Sequence, residues 1–288
     1  MVEGEVVFAN EPILRIEASL AEAQLVETAL LNIVNYQTLI ATKASRIKHI
    51  IPNESAAEFG TRRAQEMDAA IWGARAAIIG GFDSTSNVRA GKRFDIPVSG
   101  THAHAMVQAY KDEYAAFHSY AKRHKDCVFL VDTYNTLKSG VPNAIRVAKE
   151  LGDKINFIEN DEGVLEDTIK ITSNAEKVST PGLKHVYRII DRENGKAEGD
   201  YITLADENPQ EEERIKMFHP IHTFVSKFVT NFDAKNLHQK VIDDGEIIYE
   251  SPSVLEMQKY AFESLELLWD EYKRSLNPEE YPVDLSQK

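Results

Sequence analysis

The chain has 288 residues, of which 43% are hydrophobic and 27% are charged. This composition is ordinary for globular proteins and excludes collagen-like, low-complexity and wholly disordered proteins. The length suffices for roughly two domains. The 33 Lys and Arg residues against 46 Asp and Glu residues give a formal net charge of -13, which repels nucleic acid and anionic membrane surfaces. With no apolar run of membrane-span length, no leader pattern and one cysteine, we expect a cytoplasmic protein that binds neither nucleic acid nor membrane.

The first fifty residues predict a hairpin followed by a long helix. Residues 5–18 are rich in β-branched side chains around Pro12, which forbids a helix, so they predict two short strands. Ser19, with Glu22 three residues later, forms a capping box that begins a helix ending at Pro52. Because apolar residues occupy several faces of this helix, we expect it to be mostly buried.

From there to residue 158, short apolar segments alternate with helical ones. This alternation is typical of parallel β/α units, in which functional groups gather at the carboxyl ends of the strands. The predicted strands are 57–60, 77–82, 95–99, 127–131 and 155–158. The predicted helices are 63–76, 86–92, 104–124 and 136–151.

After residue 158 the pattern predicts antiparallel strands, at 167–172, 186–190 and 200–204. The dipeptide Asn194-Gly195 indicates a type I′ hairpin turn between the last two. The capping box of Ser253 and Glu256 begins a C-terminal helix, whose apolar face runs on to Tyr272.

Two strand ends predict contacts with anions. In the segment Glu58-Phe-Gly-Thr-Arg-Arg63, Phe59 and a glycine precede Arg62 and Arg63, whose guanidinium forks suit carboxylate or phosphate groups. The alternative is a pair of surface arginines at the start of a helix.

The second of these strand ends is the hydroxyl-rich segment Gly80-Gly-Phe-Asp-Ser-Thr-Ser-Asn87. It holds Asp83 and Ser84 after paired glycines and offers backbone N–H groups to an anion. The alternative is that these polar residues only cap the N-terminus of a helix.

Two further strand ends carry histidine and carboxylate. In Ser99-Gly-Thr-His-Ala-His104, the histidines His102 and His104 would share a face and suit a metal ion if the strand continues, and would diverge if a helix begins. A histidine here also suits a phosphoryl acceptor or general base, or a purely structural role. Asp132 follows the buried strand that starts at Cys127, where a carboxylate can orient a histidine or cap a helix; Cys127 itself predicts core packing.

Four segments in this order closely resemble nicotinate phosphoribosyltransferase of the bacterial type: 58–65, 81–88, 100–105 and 131–136. The likeness extends through 32–37, 138–143 and 180–184, and so covers nearly the whole chain. It implies an α/β fold, an incomplete and irregular β/α barrel of the type II phosphoribosyltransferase kind with accessory β-rich and C-terminal helical parts. The implied parts are a remnant of an N-terminal β domain at 1–20, a partial barrel with the nicotinate-side site at 21–158, and a C-terminal β and helical region at 159–288.

The resemblance also implies a reaction. Nicotinate and phosphoribosyl pyrophosphate would give nicotinate mononucleotide and pyrophosphate, with ATP as co-substrate and with Mg²⁺, in a homodimer acting in NAD salvage. The implied catalytic residues are His104, which is transiently phosphorylated, and Asp132, which orients it. The resemblance assigns Thr101 as a nicotinate contact, Phe59 as the ring that stacks on the pyridine, and Arg62 as the cation near the nucleotide phosphate. It also implies substrate binding by Arg63, Asp83 and Ser84. No residue is assigned to a metal.

The chain also departs from the family. We expect it to open inside the family's N-terminal domain and to lack an internal segment after Ile158, because the motifs Arg-x-Asp-Ser-Gly-Asp, Ser-Asn-Asp and Gly-x-Gly-Thr are absent. Since phosphoribosyl transfer depends on positioning and charge stabilisation, this loss predicts little or no activity. The alternatives are a non-catalytic fragment that binds a partner subunit and a barrel metallohydrolase using His102 and His104.

Overall fold

The computed structural model describes residues 1–124, 127–151, 155–159, 184–274 and 276–286. These residues form two compact units, one from residues 1–97 with 184–286 and the other from residues 98–159. Within the described ranges no helix is both long and apolar enough to cross a membrane. The strand predicted at 167–172 lies outside them.

The first 97 residues are mainly helical. They form helix α1 (Leu20–Ile50), strand β1 (Ala57–Glu58), helix α2 (Glu66–Ile79), strand β2 (Ser84–Thr85) and helix α3 (Val88–Phe94). The capping box at the start of α1 is confirmed, because the Ser19 hydroxyl accepts from the backbone N–H of Glu22 and the Glu22 carboxylate accepts from that of Ser19. β1 and β2 pair in parallel, with Glu58 opposite Thr85.

The predicted hairpin at 5–18 is wrong. These residues form no strand, because their backbone polar groups bond to side chains of distant elements. The N–H of Val6 donates to the hydroxyl of Ser264, and the carbonyl of Val6 accepts from Arg188. The segment is held as an irregular strap rather than by a strand ladder.

Two further strands and the burial of α1 were also predicted wrongly. Residues 77–79 continue α2, and residues 96–99 follow the left-handed Asp95 that ends α3. Along Leu20–Ile50 only Ala44 is buried, and it lies where the end of α2 at Gly80 comes closest to the helix. Leu25 is 81% exposed.

The second unit alternates helices and parallel strands. It comprises α4 (His104–Gln108), α5 (Glu113–Arg123), β3 (Cys127–Leu130), a π-helical turn (Thr136–Gly140), α6 (Val141–Leu151) and β4 (Ile155–Glu159). The helix predicted at 104–124 is interrupted because Asp112 caps α5 by accepting from the N–H of Ala115. β3 and β4 pair in parallel as predicted.

The core of this unit lies around β3. Phe117, Phe129, Val131 and Val147 are fully buried in it, and Cys127 packs there as expected. A Cβ at Gly140 would overlap the carbonyl oxygen of Val131. Glycine therefore lets the π-helical turn lie directly against the end of β3.

The described residues from Lys184 onward form sheets, two α-helices and a short 3₁₀ helix, Pro209–Glu211. Their elements are β5 (Lys184–Asp191), β6 (Ala197–Leu204), β7 (Arg214–Phe218), β8 (Ser226–Thr230), β9 (Phe232–Asn236), β10 (Ile242–Asp243), β11 (Glu246–Ile247), α7 (Val254–Glu266), α8 (Asp270–Lys273) and β12 (Val283–Leu285). One sheet has the order β12-β6-β5-β9, with β12 parallel to β6 and the other pairs antiparallel. The predicted antiparallel pair and the capping box of Ser253 and Glu256 are confirmed.

The turn between β5 and β6 differs from the type I′ prediction. Of loop residues 192–196, only Gly195 has a positive φ, 69°, whereas a type I′ turn needs two such residues. The Asp191 side chain accepts from the N–H groups of Glu193 and Asn194. This local turn lengthens the loop to five residues, 192–196.

A buried charge cluster joins the N-terminal strap to β5, β6 and α7. Arg188 is fully buried and donates to both carboxylate oxygens of Asp200, at 2.9 and 2.7 Å, and to Glu5 at 2.6 Å. Tyr281 also donates to Asp200. Burial, and then the negative charge of Asp200, raise the pKa of the nearby Glu11 to about 9.

Candidate functional site

In the first unit, the candidate residues follow the carboxyl end of β1. Phe59 is half-buried and immediately precedes a 3₁₀ helix, Gly60–Arg63, that carries the two predicted arginines. Arg62 and Arg63 are both exposed, and among the described residues the Arg62 guanidinium has no hydrogen-bond or ion-pair partner. An aromatic face and a cation separated by three positions suit a flat, anionic ligand.

A buried carboxylate that the sequence analysis missed holds this turn. Glu58 is 8% exposed, and it accepts from the backbone N–H of Gly60 and, at 2.6 Å, from the hydroxyl of Thr85 on β2. Asn87 donates to Thr61 at 3.1 Å and caps α3. The turn after β1 and the turn after β2 are therefore tied together by hydrogen bonds at one end of the strand pair.

Asp83 and Ser84 occupy the other end of this pair. Ser84 is buried in β2 opposite Ala57, and Asp83 precedes the strand. The Asp83 carboxylate accepts from Lys48 at 3.0 Å and from the backbone N–H of Ala56 at 2.8 Å. The structure thus does not bring Asp83 together with Phe59, and the substrate-binding role of Asp83 stays a prediction.

In the second unit, His104 begins helix α4 and lies beside the loop that follows β3. Its Nδ1 atom is 3.1 Å from the hydroxyl oxygen of Thr133. Its Nε2 atom is 3.8 Å from Oδ1 of Asp132, and the two side chains are 40% and 17% exposed. Thr101 is half-buried, three residues before His104. The structure therefore brings His104 and Asp132 together, and it adds Thr133.

The other histidine of the pair, His102, belongs to the core. It is 7% exposed, its Nε2 atom accepts from the backbone N–H of Leu130 at 3.2 Å, and its ring packs edge-on against Tyr120. Burial lowers its pKa, which favours the neutral ring. Because α4 begins at His104, the two histidines do not share a face, and the metallohydrolase alternative loses one of its two ligands.

The residues around His104 provide the elements of nucleophilic catalysis. A partly exposed imidazole can offer a nitrogen lone pair, and a neighbouring carboxylate can hold a proton on the other nitrogen. Thr133 was missed because a single hydroxyl after Asp132 has no spacing signal of its own. Its strand-end position is the one feature by which the sequence could have indicated it.

Two family models match the chain. The nicotinate phosphoribosyltransferase (NAPRTase) family model matches residues 55–150, which contain all the candidate residues described above. The model of the nicotinate phosphoribosyltransferase C-terminal domain matches residues 183–288. Residues 151–182 lie between the two matches.

Individual proteins agree with this assignment. A nicotinate phosphoribosyltransferase of Bacillus subtilis is 54% identical over 364 aligned positions that cover 100% of this chain and 74% of the relative. Since the chain has 288 residues, at least 364 − 288 = 76 of those positions have no counterpart in it, which agrees with the expected internal gap.

Solved structures show the same fold. Human nicotinic acid phosphoribosyltransferase has a TM-score of 0.84 at 23% identity, over 99% of this chain and 79% of that one. A nicotinate-nucleotide pyrophosphorylase from Pyrococcus furiosus has a TM-score of 0.52 at 20% identity, over 81% of this chain and 70% of that one. The fold is thus of mixed helix and sheet, as in these enzymes, and the chain belongs to the nicotinate phosphoribosyltransferase family.

Proposed function

We propose that this protein forms nicotinate mononucleotide and pyrophosphate from nicotinate and phosphoribosyl pyrophosphate, coupled to ATP hydrolysis, and so serves NAD salvage. The observation that carries the proposal is the arrangement at His104, which has Asp132 beside one ring nitrogen and Thr133 beside the other. We assign His104 as the residue that ATP phosphorylates and Asp132 as the carboxylate that orients it. This pairing of imidazole and carboxylate suits transient phosphoryl transfer to nitrogen.

The turn after β1 would bind nicotinate and phosphate. The half-buried ring of Phe59 offers a face for the pyridine ring, and Arg62 offers a cation without another partner in the described chain. Arg63, Ser84, Asp83 and Thr101 complete the proposed set of substrate contacts.

Mg²⁺ would arrive with the phosphates of ATP. Among the described residues no group of three or more His, Cys, Asp or Glu side chains could hold a metal ion. The described chain thus offers no protein cage for Mg²⁺.

Several properties of the whole protein belong to the same proposal. The parallel pairs β1-β2 and β3-β4 support an incomplete, irregular β/α barrel within 21–158, with accessory parts at 1–20 and 159–288. A homodimer is supported by large apolar side chains of α1 that stay exposed in the single chain, among them Leu20 at 77% and Leu25 at 81%. A cytoplasmic location agrees with the single cysteine, which lies in a core.

The test is to measure nicotinate mononucleotide formed by the purified protein from nicotinate, phosphoribosyl pyrophosphate, ATP and Mg²⁺. We expect turnover below that of the Bacillus subtilis relative, because at least 76 aligned positions, counted as 364 − 288, are missing here and transfer depends on positioning and charge stabilisation. We expect His104→Ala to abolish both product and acid-labile phosphoenzyme.

The matched control is His124→Ala, which removes an exposed histidine of the same unit and should leave both signals unchanged. Absence of product and of phosphoenzyme with the unchanged protein would reject the proposal. It would favour the alternative of a non-catalytic fragment that binds a partner subunit.

A further inference from the structure

The two sides of the His104 ring are in different environments. Nδ1 lies 3.1 Å from the hydroxyl oxygen of Thr133, which is hydrogen-bond distance. Nε2 faces Oδ1 of Asp132 at 3.8 Å. A hydroxyl can donate or accept, whereas a carboxylate oxygen only accepts, so the two partners together determine where the ring carries its proton.

Asp132 supplies an independent observation. Its Oδ1 atom is buried and has no hydrogen-bond partner among the described residues. Such an oxygen is costly unless a donor is nearby, and His104 Nε2 faces it. A proton on Nε2 satisfies this oxygen after a movement of about 1 Å. Nδ1 then carries the lone pair, and the Thr133 hydroxyl donates to it.

The loop that carries Thr133 is well placed to hold this contact. Thr133 follows Asp132 in the loop after β3, and the next turn lies against Val131, at the end of that strand, because Gly140 leaves no side chain between them. Asn135 fixes the start of that turn by accepting from the N–H of Lys138 at 2.8 Å. A β-branched threonine also has few χ1 rotamers, so its hydroxyl is directed at His104 with little loss of entropy.

We propose that Thr133 is a positioning residue that directs the Nδ1 lone pair of His104 toward the phosphoryl group it accepts. This inference rests on the proposed function. In the step, the Nδ1 lone pair forms the N–P bond while the bond from the γ-phosphorus to the bridging oxygen breaks, and ADP leaves with that electron pair. Nε2 keeps its proton beside Asp132, and the Thr133 hydroxyl moves from Nδ1 to a phosphoryl oxygen.

The test compares Thr133→Val, which keeps the shape and removes the hydroxyl, with Thr133→Ser, which keeps the hydroxyl. The first readout is the ¹⁵N spectrum of protein labelled at histidine nitrogens, with the His104 signals assigned by their loss in His104→Ala. The second is the single-turnover rate of phosphoenzyme formation from ATP. The third is the separate measurement of kcat and of KM for nicotinate.

In the unchanged protein we expect Nε2 to be protonated and Nδ1 to be bare, and in Thr133→Val we expect a mixture of both tautomers. The single-turnover phosphorylation rate should fall about tenfold in Thr133→Val, the effect of one lost hydrogen bond. The overall kcat should fall by less, because the later transfer of the phosphoribosyl group is the slower step. KM for nicotinate should stay the same, and Thr133→Ser should remain within about twofold of the unchanged protein.

A proton on Nδ1 in the unchanged protein would overturn the inference, and so would equal phosphorylation rates in the valine and serine variants. If neither the unchanged protein nor any variant forms phosphoenzyme while the ¹⁵N spectra are as expected, the proposed function is wrong. The inference that Thr133 positions the His104 ring is then still supported. If phosphoenzyme forms at the same rate without the hydroxyl, the proposed function stands and the role of Thr133 fails.

Discussion

Glu11 is the residue whose replacement should change the pH dependence of stability most clearly. It is 8% exposed, and burial followed by the charge of Asp200 raises its pKa from 4.5 to about 9. Near pH 7 the folded protein therefore holds Glu11 protonated, while in the unfolded chain it is ionised. The substitution Glu11→Gln keeps the size and the neutral charge of the protonated form.

The magnitude follows from proton linkage. Because the folded-state pKa is raised, the stabilising contribution is fully present below pH 4.5 and is lost as the pH rises toward about 9. Each pH unit in this window costs the unchanged protein about 1.4 kcal/mol of unfolding free energy that the glutamine variant does not lose. At pH 7.5, three units above the unfolded value, the difference should reach about 4 kcal/mol as an upper limit.

The assay is urea unfolding of both proteins at pH 5, 6, 7 and 8, followed by circular dichroism. All other titrating groups are common to the two proteins, so their contributions cancel in the difference between them. Glu213→Gln is the matched control, because Glu213 is exposed and its replacement should give a difference that is constant with pH. We expect the stability advantage of Glu11→Gln to grow steadily between pH 5 and pH 8.

A difference that stays constant across this range would refute the reasoning. It would mean that Glu11 is ionised in the folded protein and that the cations of the cluster, above all Arg188, outweigh burial and Asp200. A difference that grew in the opposite direction, with the variant losing stability as pH rises, would also refute it.

Three other substitutions test separate parts of the chain. Arg188→Met leaves the buried Asp200 without its cation and Glu5 with Lys235 alone. It should cost about 3–5 kcal/mol of unfolding free energy, measured by urea unfolding at pH 7. Gly140→Ala should destabilise the second unit by about 1–3 kcal/mol, because the added methyl group overlaps Val131. Gly100→Ala is the control, because a methyl group there meets open space. Equal urea-unfolding midpoints for the two variants would contradict this prediction. Phe59→Ala should raise KM for nicotinate about tenfold through lost stacking, while the 86% exposed Phe224 can be replaced by alanine without effect in the same assay.

Local features of the chain were predictable, because their causes lie within a few residues. The capping boxes at Ser19 and Ser253 needed only a hydroxyl and a glutamate three positions on, and both formed. The burial of α1 was not predictable in this way. Periodicity shows which side chains share a face, but not which other element covers that face.

The errors at the candidate site have a similar origin. The sequence placed a strand at 77–82, so Asp83 was expected at its carboxyl end. Alanine and isoleucine continue the helix to Ile79, and the strand begins at Ser84, which places Asp83 at the amino end beside Lys48. Asp132, by contrast, follows a strand that was predicted to within one residue, at 127–131 against the observed Cys127–Leu130. The strand predicted before His104, at 95–99, does not form, yet His104 begins α4 and its ring faces Asp132.

The internal gap bears differently on the two halves of the proposed reaction. Glu58 and Thr85 hold the turn with Phe59 by contacts within the first unit, and Thr133 lies against His104 within the second. None of these contacts involves residues 151–182, between the two family matches. Phosphorylation of His104 should therefore be less impaired than transfer of the phosphoribosyl group. A rapid phosphoenzyme followed by slow formation of nicotinate mononucleotide would be its kinetic signature, because only the second step needs the cradle that the missing motifs supply.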